Sequence, residues 1–76
     1  LSASYFSVVF KQETGVNFKD YLTQQRMEKA KHLLQTTNDL IPNIAKSVGY
    51  TDARYFSSQF QKIVGLKPAK YRKLHS

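Results

Sequence analysis

The chain repeats itself once. Residues 2–15, SASYFSVVFKQETG, return fifty positions later as DARYFSSQFQKIVG, residues 52–65. Pairing residues 1–22 with 51–72 without a gap leaves seven identical pairs: Ala3/Ala53, Tyr5/Tyr55, Phe6/Phe56, Ser7/Ser57, Phe10/Phe60, Gly15/Gly65 and Tyr21/Tyr71. An internal repeat constrains the architecture before local propensity is weighed. Two copies make a duplicated unit rather than a solenoid. In 76 residues they leave room for one small domain, or for two very small ones sharing a helix.

Apolar spacing decides what each copy is made of. Ser2 or Ser4 can cap a helix running to about Thr14, with Phe6, Val9 and Phe10 on one face and Gly15 as its left-handed stop. A longer helix follows from about Lys19 to Gln35, with Tyr21, Leu22, Met27, Ala30, Leu33 and Leu34 as its core-facing residues. TTND breaks it. Pro42 then suits a first helical turn, where its missing N–H costs nothing, and Ile41, Ile44, Ala45 and Val48 give the i, i+3, i+4, i+7 stripe that Gly49 ends. Thr51 or Asp52 caps the next helix, which turns Phe56, Phe60 and Ile63 inward and Arg54, Ser57, Ser58 and Gln61 outward, and stops at Gly65. Pro68 opens a last short helix. No stretch alternates with the period of a strand for long enough to count, so the fold expected is all-α.

Charge narrows the function. Twelve Lys and Arg face five Asp and Glu, a net charge of +7. From Lys46 onward stand seven basic residues and one acid, Asp52. So one-sided a domain attracts polyanions, nucleic acid before anionic membrane. There is no Cys, which excludes a disulfide, a thiolate nucleophile and a Cys-based metal site. The two histidines, His32 and His75, stand in unrelated contexts, and no Gly-rich phosphate loop or paired carboxylates accompany them. Catalysis, cofactors and metals are therefore not expected. No apolar run is long enough to span a membrane, and no secretory signal precedes the first helix.

A short helix, a Gly-containing turn and a second helix with an apolar inner face form a helix-turn-helix pattern over residues 42–64. Residues 39–72, with IA…VGY at 44–50, YFSSQF at 55–60, Gly65 and P..YR at 68–72, resemble the signature of the AraC/XylS family of bacterial transcription regulators. Residues 4–34 are similar to the first recognition helix and the linker helix of the same family. The resemblance implies two helix-turn-helix units of homeodomain-like three-helical type, joined by a long linker helix. Residues 1–38 would hold a partial first unit and the linker, and residues 39–76 a complete second unit. Copy one lacks the supporting helix that copy two has at 42–48, so the chain reads as an N-terminally truncated fragment with an incomplete first unit. The expected consequence is local mobility there, or pairing with another chain.

The resemblance further implies sequence-specific binding of double-stranded DNA in bacterial, cytoplasmic transcription regulation, with both recognition helices in successive major grooves. Activation is the commoner outcome in the family. Carried onto this chain, the base-reading positions are Ala53, Arg54, Ser57 and Ser58 on the second helix and Ser4, Ser7 and Val8 on the first. Arg54 can pair bidentately with guanine O6 and N7; the other readings open to it are a phosphate contact or a salt bridge to Asp52 or Asp39. Val8 can touch a thymine methyl group or pack into the core. Family members frequently carry Arg where this chain has Val8 and Ser58, so guanine reading is not expected at those two positions. Lys11, Lys46, Gln61, Lys62 and Lys67 are the candidates for the DNA backbone, with the helix starts near Pro42 and Pro68 as further contacts. Arg26 is expected in a structural ion pair with Glu28 or Asp20, and Tyr21 and Tyr71 in the core.

Partners implied by the family include RNA polymerase, and the parent protein can be dimeric. A protein-interaction or dimerisation module without direct base reading is the alternative function. It leaves Arg54 on an open helix face of a +7 domain without a purpose.

Overall fold

The computed structural model describes residues 17–75. Four helices occupy them: α1 Phe18–Thr36, α2 Ile41–Ser47, α3 Ala53–Val64 and α4 Pro68–Leu74. No strand occurs among the described residues, as the spacing of apolar residues predicts. The first copy of the repeat, and with it the expected helix to Thr14, lies outside them.

Each helix begins and ends for a local reason. The Asn17 side chain accepts the Lys19 N–H at 2.8 Å and caps α1. At the other end Thr37 Oγ1 donates to the Leu33 carbonyl at 2.7 Å. Pro42 stands in the first turn of α2. Between α2 and α3, Gly49 adopts φ 103°, and the Tyr50 N–H closes the turn on the Ala45 carbonyl at 2.8 Å. Asp52 caps α3: its Oδ1 accepts the N–H groups of Arg54 at 2.8 Å and Tyr55 at 3.3 Å. Gly65, at φ 96°, is the left-handed stop.

The core joins all four helices. Met27, Ala30 and Leu34 of α1 meet Ile44 and Ala45 of α2, Phe56 and Phe60 of α3, and Tyr71 of α4, with Val48 and Tyr50 closing it from the turn. Rings run through it in sequence. Tyr50 lies 5.5 Å from Phe56, Phe56 lies 5.9 Å from Phe60, and Phe60 meets Tyr71 edge-on at 5.5 Å. Tilted and edge-on pairs of this kind suit the quadrupoles of the rings. α4 is fastened to α1 by polar contacts as well. Gln35 Nε2 donates to the Tyr71 hydroxyl at 2.7 Å. The Arg72 guanidinium donates to the carbonyls of Leu34 and Thr37, both at 3.2 Å, supplying donors to the end of α1, where carbonyls lack helical partners.

Four expectations are corrected. Tyr21 and Leu22 are 42% and 37% exposed, because the buried arc of α1 runs through Met27, Ala30 and Leu34 and neither position falls on it at 100° per residue. Ile63 is 48% exposed. It stands beside the stripe formed by Phe56, Phe60 and the half-buried Val64, where Val64 takes the inner place. Arg26 forms no ion pair among the described residues; its guanidinium carbon lies 5.4 Å from the Tyr50 ring centroid, and Glu28 pairs with Lys31 at 3.0 Å instead.

Candidate nucleic-acid interface

The core-facing stripe of α3 leaves the opposite arc free. Arg54, Ser57, Ser58 and Gln61 follow one another at i, i+3, i+4 and i+7, one strip along a helix surface. Arg54, Ser58 and Gln61 are exposed, and Ser57 and Ala53 are half-buried. An open groove runs along this strip. It is lined by Ala53, Arg54, Ser57, Ser58 and Gln61 of α3, by Ile41 and Pro42 from the start of α2, and by Lys67 from the cap of α4.

The electrostatics of the groove follow from where the acids are engaged. Among the described residues no acid lines it. Asp52, the nearest in sequence, spends its carboxylate on the backbone N–H groups of Arg54 and Tyr55. Among the described residues the Arg54 guanidinium has no hydrogen-bond or ion-pair partner, so neither Asp52 nor Asp39 holds it. The result is a helix start presenting one planar cation and two hydroxyls, with an ammonium across the groove at Lys67. A helix of this kind fits the width of the major groove.

A family model described as a helix-turn-helix domain matches residues 1–74. The chain belongs to the AraC/XylS family. It is similar to the arabinose operon regulatory protein of Escherichia coli K12, 38% identical over 72 residues, which cover 95% of this chain and 25% of that protein. Among solved structures it is similar to the C-terminal domain of the two-component response regulator yesN from Fusobacterium nucleatum, with a TM-score of 0.87 and 47% identity over 95% of this chain and 70% of that one. It is also similar to the DNA-binding domain of AdpA, a global transcriptional factor solved in complex with a target DNA, with a TM-score of 0.86 and 27% identity over 97% of this chain and 67% of that one. The chain spans about a quarter of the length of the curated AraC/XylS regulators it matches.

The fold brings together most of the second set of positions expected from the family. Ala53, Arg54, Ser57 and Ser58 share the groove with Gln61 and Lys67. Lys46 and Lys62 are exposed but do not line it. Lys62 instead borders a second groove, with Lys19, Arg26 and Tyr55. Ser4, Ser7, Val8 and Lys11 lie outside the described residues. The helix start near Pro42 is expected as a phosphate contact, but not Ile41 and Pro42 as an apolar wall of the groove. Pro42 was read for its helix-starting role and Ile41 for its place in the apolar stripe, and only the packing of α2 against α3 shows that both also face the groove.

The turn carries a second feature that spacing did not reveal. Arg26 reaches from α1 over Tyr50, and a Cβ at position 49 would stand 3.0 Å from its Nε. Gly49 is favoured by its positive φ, and a side chain there would also push the Arg26 guanidinium aside by a few tenths of an ångström. The contact links the turn before α3 to α1.

Proposed function

We propose that this domain binds double-stranded DNA sequence-specifically as part of a bacterial, cytoplasmic transcription regulator, with α3 in the major groove. The observation that carries the reading is the Arg54 guanidinium, without a partner among the described residues, at the start of an outward helix face that no described acid lines. Arg54 pairs with guanine O6 and N7. Ala53, Ser57 and Ser58 meet the neighbouring base edges, the hydroxyls permissively because Ser bonds donors and acceptors alike. Lys46, Gln61, Lys62 and Lys67 hold the phosphates and set the register without reading sequence. Ser4, Ser7 and Val8 are proposed as the base readers of a first recognition helix, with Lys11 on the DNA backbone, on the strength of the repeat and of the family resemblance. The role is binding, not catalysis. AdpA, similar in fold over nearly the whole chain, was solved with its target DNA, which supports this reading over a protein-interaction module.

Selection from a random duplex library, at two salt concentrations, tests it. Enrichment of one short box by the 76-residue chain, weakened by Arg54→Ala, is expected if α3 reads. Two boxes about 10–10.5 bp apart would show the first helix reading as well. Binding without enrichment, falling by roughly 0.9 in log–log slope per phosphate as salt rises, would leave a basic domain that reads nothing.

A further inference from the structure

The α3 reading face carries one apolar residue among polar ones. Ala53, Arg54, Ser57, Ser58 and Gln61 all line the groove, and only Ala53 has nothing to donate or accept. It is also the first residue of α3, in the turn that a recognition helix pushes furthest toward base edges. Its surroundings are apolar too. Ile41 and Pro42 form the groove wall supplied by α2, and Pro42 has no N–H to offer. A base edge seated there meets carbon on two sides, next to the strong donor Arg54.

We infer that Ala53, with Ile41 and Pro42 behind it, receives the C5 methyl group of a pyrimidine adjacent to the guanine paired with Arg54. The inference rests on the base-reading function proposed above and assigns a specific step within it. A thymine methyl at this spot leaves water for carbon. The amino group of cytosine or adenine would give up its water and find no acceptor, which is costly for a buried donor. Discrimination at this position comes from an apolar seat, and at the next from a bidentate cation. 5-Methylcytosine carries the same methyl group and gains that contact, but keeps the amino group and its cost, so it falls between thymine and cytosine.

The test uses the duplex enriched by selection, with the full chain. Each thymine is replaced singly by deoxyuridine, and each guanine singly by 7-deazaguanine, which lacks the N7 acceptor. Deoxyuridine is expected to weaken binding about three- to fivefold at one thymine, the scale of one buried carbon group. That thymine must neighbour the guanine whose 7-deaza replacement weakens binding most. Changing that thymine to cytosine should weaken binding, and 5-methylcytosine should recover part of the loss. Ala53→Ser, with its helical circular dichroism unchanged, should abolish the deoxyuridine effect while keeping the 7-deazaguanine effect. Indifference to deoxyuridine beside a sensitive guanine overturns the inference and leaves Arg54 reading intact. So does an Ala53→Ser variant that still discriminates. Indifference to every 7-deazaguanine, or no enriched duplex at all, overturns base reading itself and this inference with it.

Discussion

Arg26 of α1 lies over the ring of Tyr50, its guanidinium carbon 5.4 Å from the centroid, with its Nε 3.0 Å from where a Cβ at Gly49 would stand. One cation thus ties α1 to the turn that aims α3. A cation over an aromatic face at a partly exposed site is worth roughly 0.5–1 kcal/mol.

Gly49→Ala and Gly65→Ala separate the two demands on the turns. Both glycines have φ near 100°, so each substitution is expected to cost about 1–2 kcal/mol from backbone strain alone. Among the described residues a Cβ at Gly65 meets nothing within 4 Å, whereas at Gly49 it meets the end of the Arg26 side chain. In a denaturant double-mutant cycle, Arg26→Ala should couple to Gly49→Ala by up to ~1 kcal/mol, because either change already loosens the stacked contact. Gly65→Ala should add to Arg26→Ala without coupling.

The junction of α4 with α1 rests on two kinds of polar contact. Tyr71→Phe removes the hydroxyl that accepts from Gln35 and keeps the ring against Phe60. A loss of ~0.5–1.5 kcal/mol is expected. Arg72→Ala strips donors from the Leu34 and Thr37 carbonyls and should cost ~1.5–3 kcal/mol, the range for hydrogen bonds to a charged group. Urea titrations followed by circular dichroism would measure both. Arg72→Ala being milder than Tyr71→Phe would mean that Arg72 is not what holds the end of α1.

How far the sequence could be read shows in particular positions. The α2–α3 hairpin was legible because its signals are local. Pro42, the stripe through Ile44, Ala45 and Val48, Gly49 and the Asp52 cap all act within one or two turns. Tyr21, Leu22 and Ile63 were misplaced because apolar character says a residue can be buried, not which arc of its helix meets the partner. Arg26 was misread because its partner, Tyr50, sits in a different element, while Glu28 and Asp20 are its neighbours in sequence. The contacts of Gln35 with Tyr71 and of Arg72 with Leu34 join residues 36 and 38 apart, a tertiary fact that no window of sequence holds. The reading face divides the same way. Its α3 strip followed from the repeat and helical spacing, whereas the Ile41–Pro42 wall needed the packing.

The corrected burial predicts a contrast along one helix. Phe56→Ala and Phe60→Ala remove fully buried rings and are each expected to cost ~3–5 kcal/mol. That is enough to unfold much of a domain whose total stability is on the order of 5–15 kcal/mol. Ile63→Ala, at a half-exposed position, should cost under ~1 kcal/mol. Thermal melts of the three variants would show it. An Ile63→Ala melt as low as that of Phe60→Ala would place Ile63 in the core after all.

Asp52 has a purely local task in this geometry. Asp52→Ala leaves the Arg54 and Tyr55 N–H groups without their acceptor and should cost ~0.5–2 kcal/mol. Asp52→Asn keeps a capping oxygen and should cost a few tenths at most. If the two variants were equally destabilised in the same melts, the charge of Asp52 rather than its cap would be what matters.

The central claim is that α3 reads bases through Arg54, and the specificity ratio tests it most directly. Binding of the chain and of Arg54→Ala would be measured by fluorescence anisotropy on the selected duplex and on a scrambled one, at one fixed salt concentration. The expected result is a loss of roughly 5- to 150-fold on the selected duplex, corresponding to 1–3 kcal/mol for a bidentate pair, with a much smaller loss on the scrambled one. Equal losses on both duplexes would contradict the claim, since a phosphate contact weakens all sequences alike.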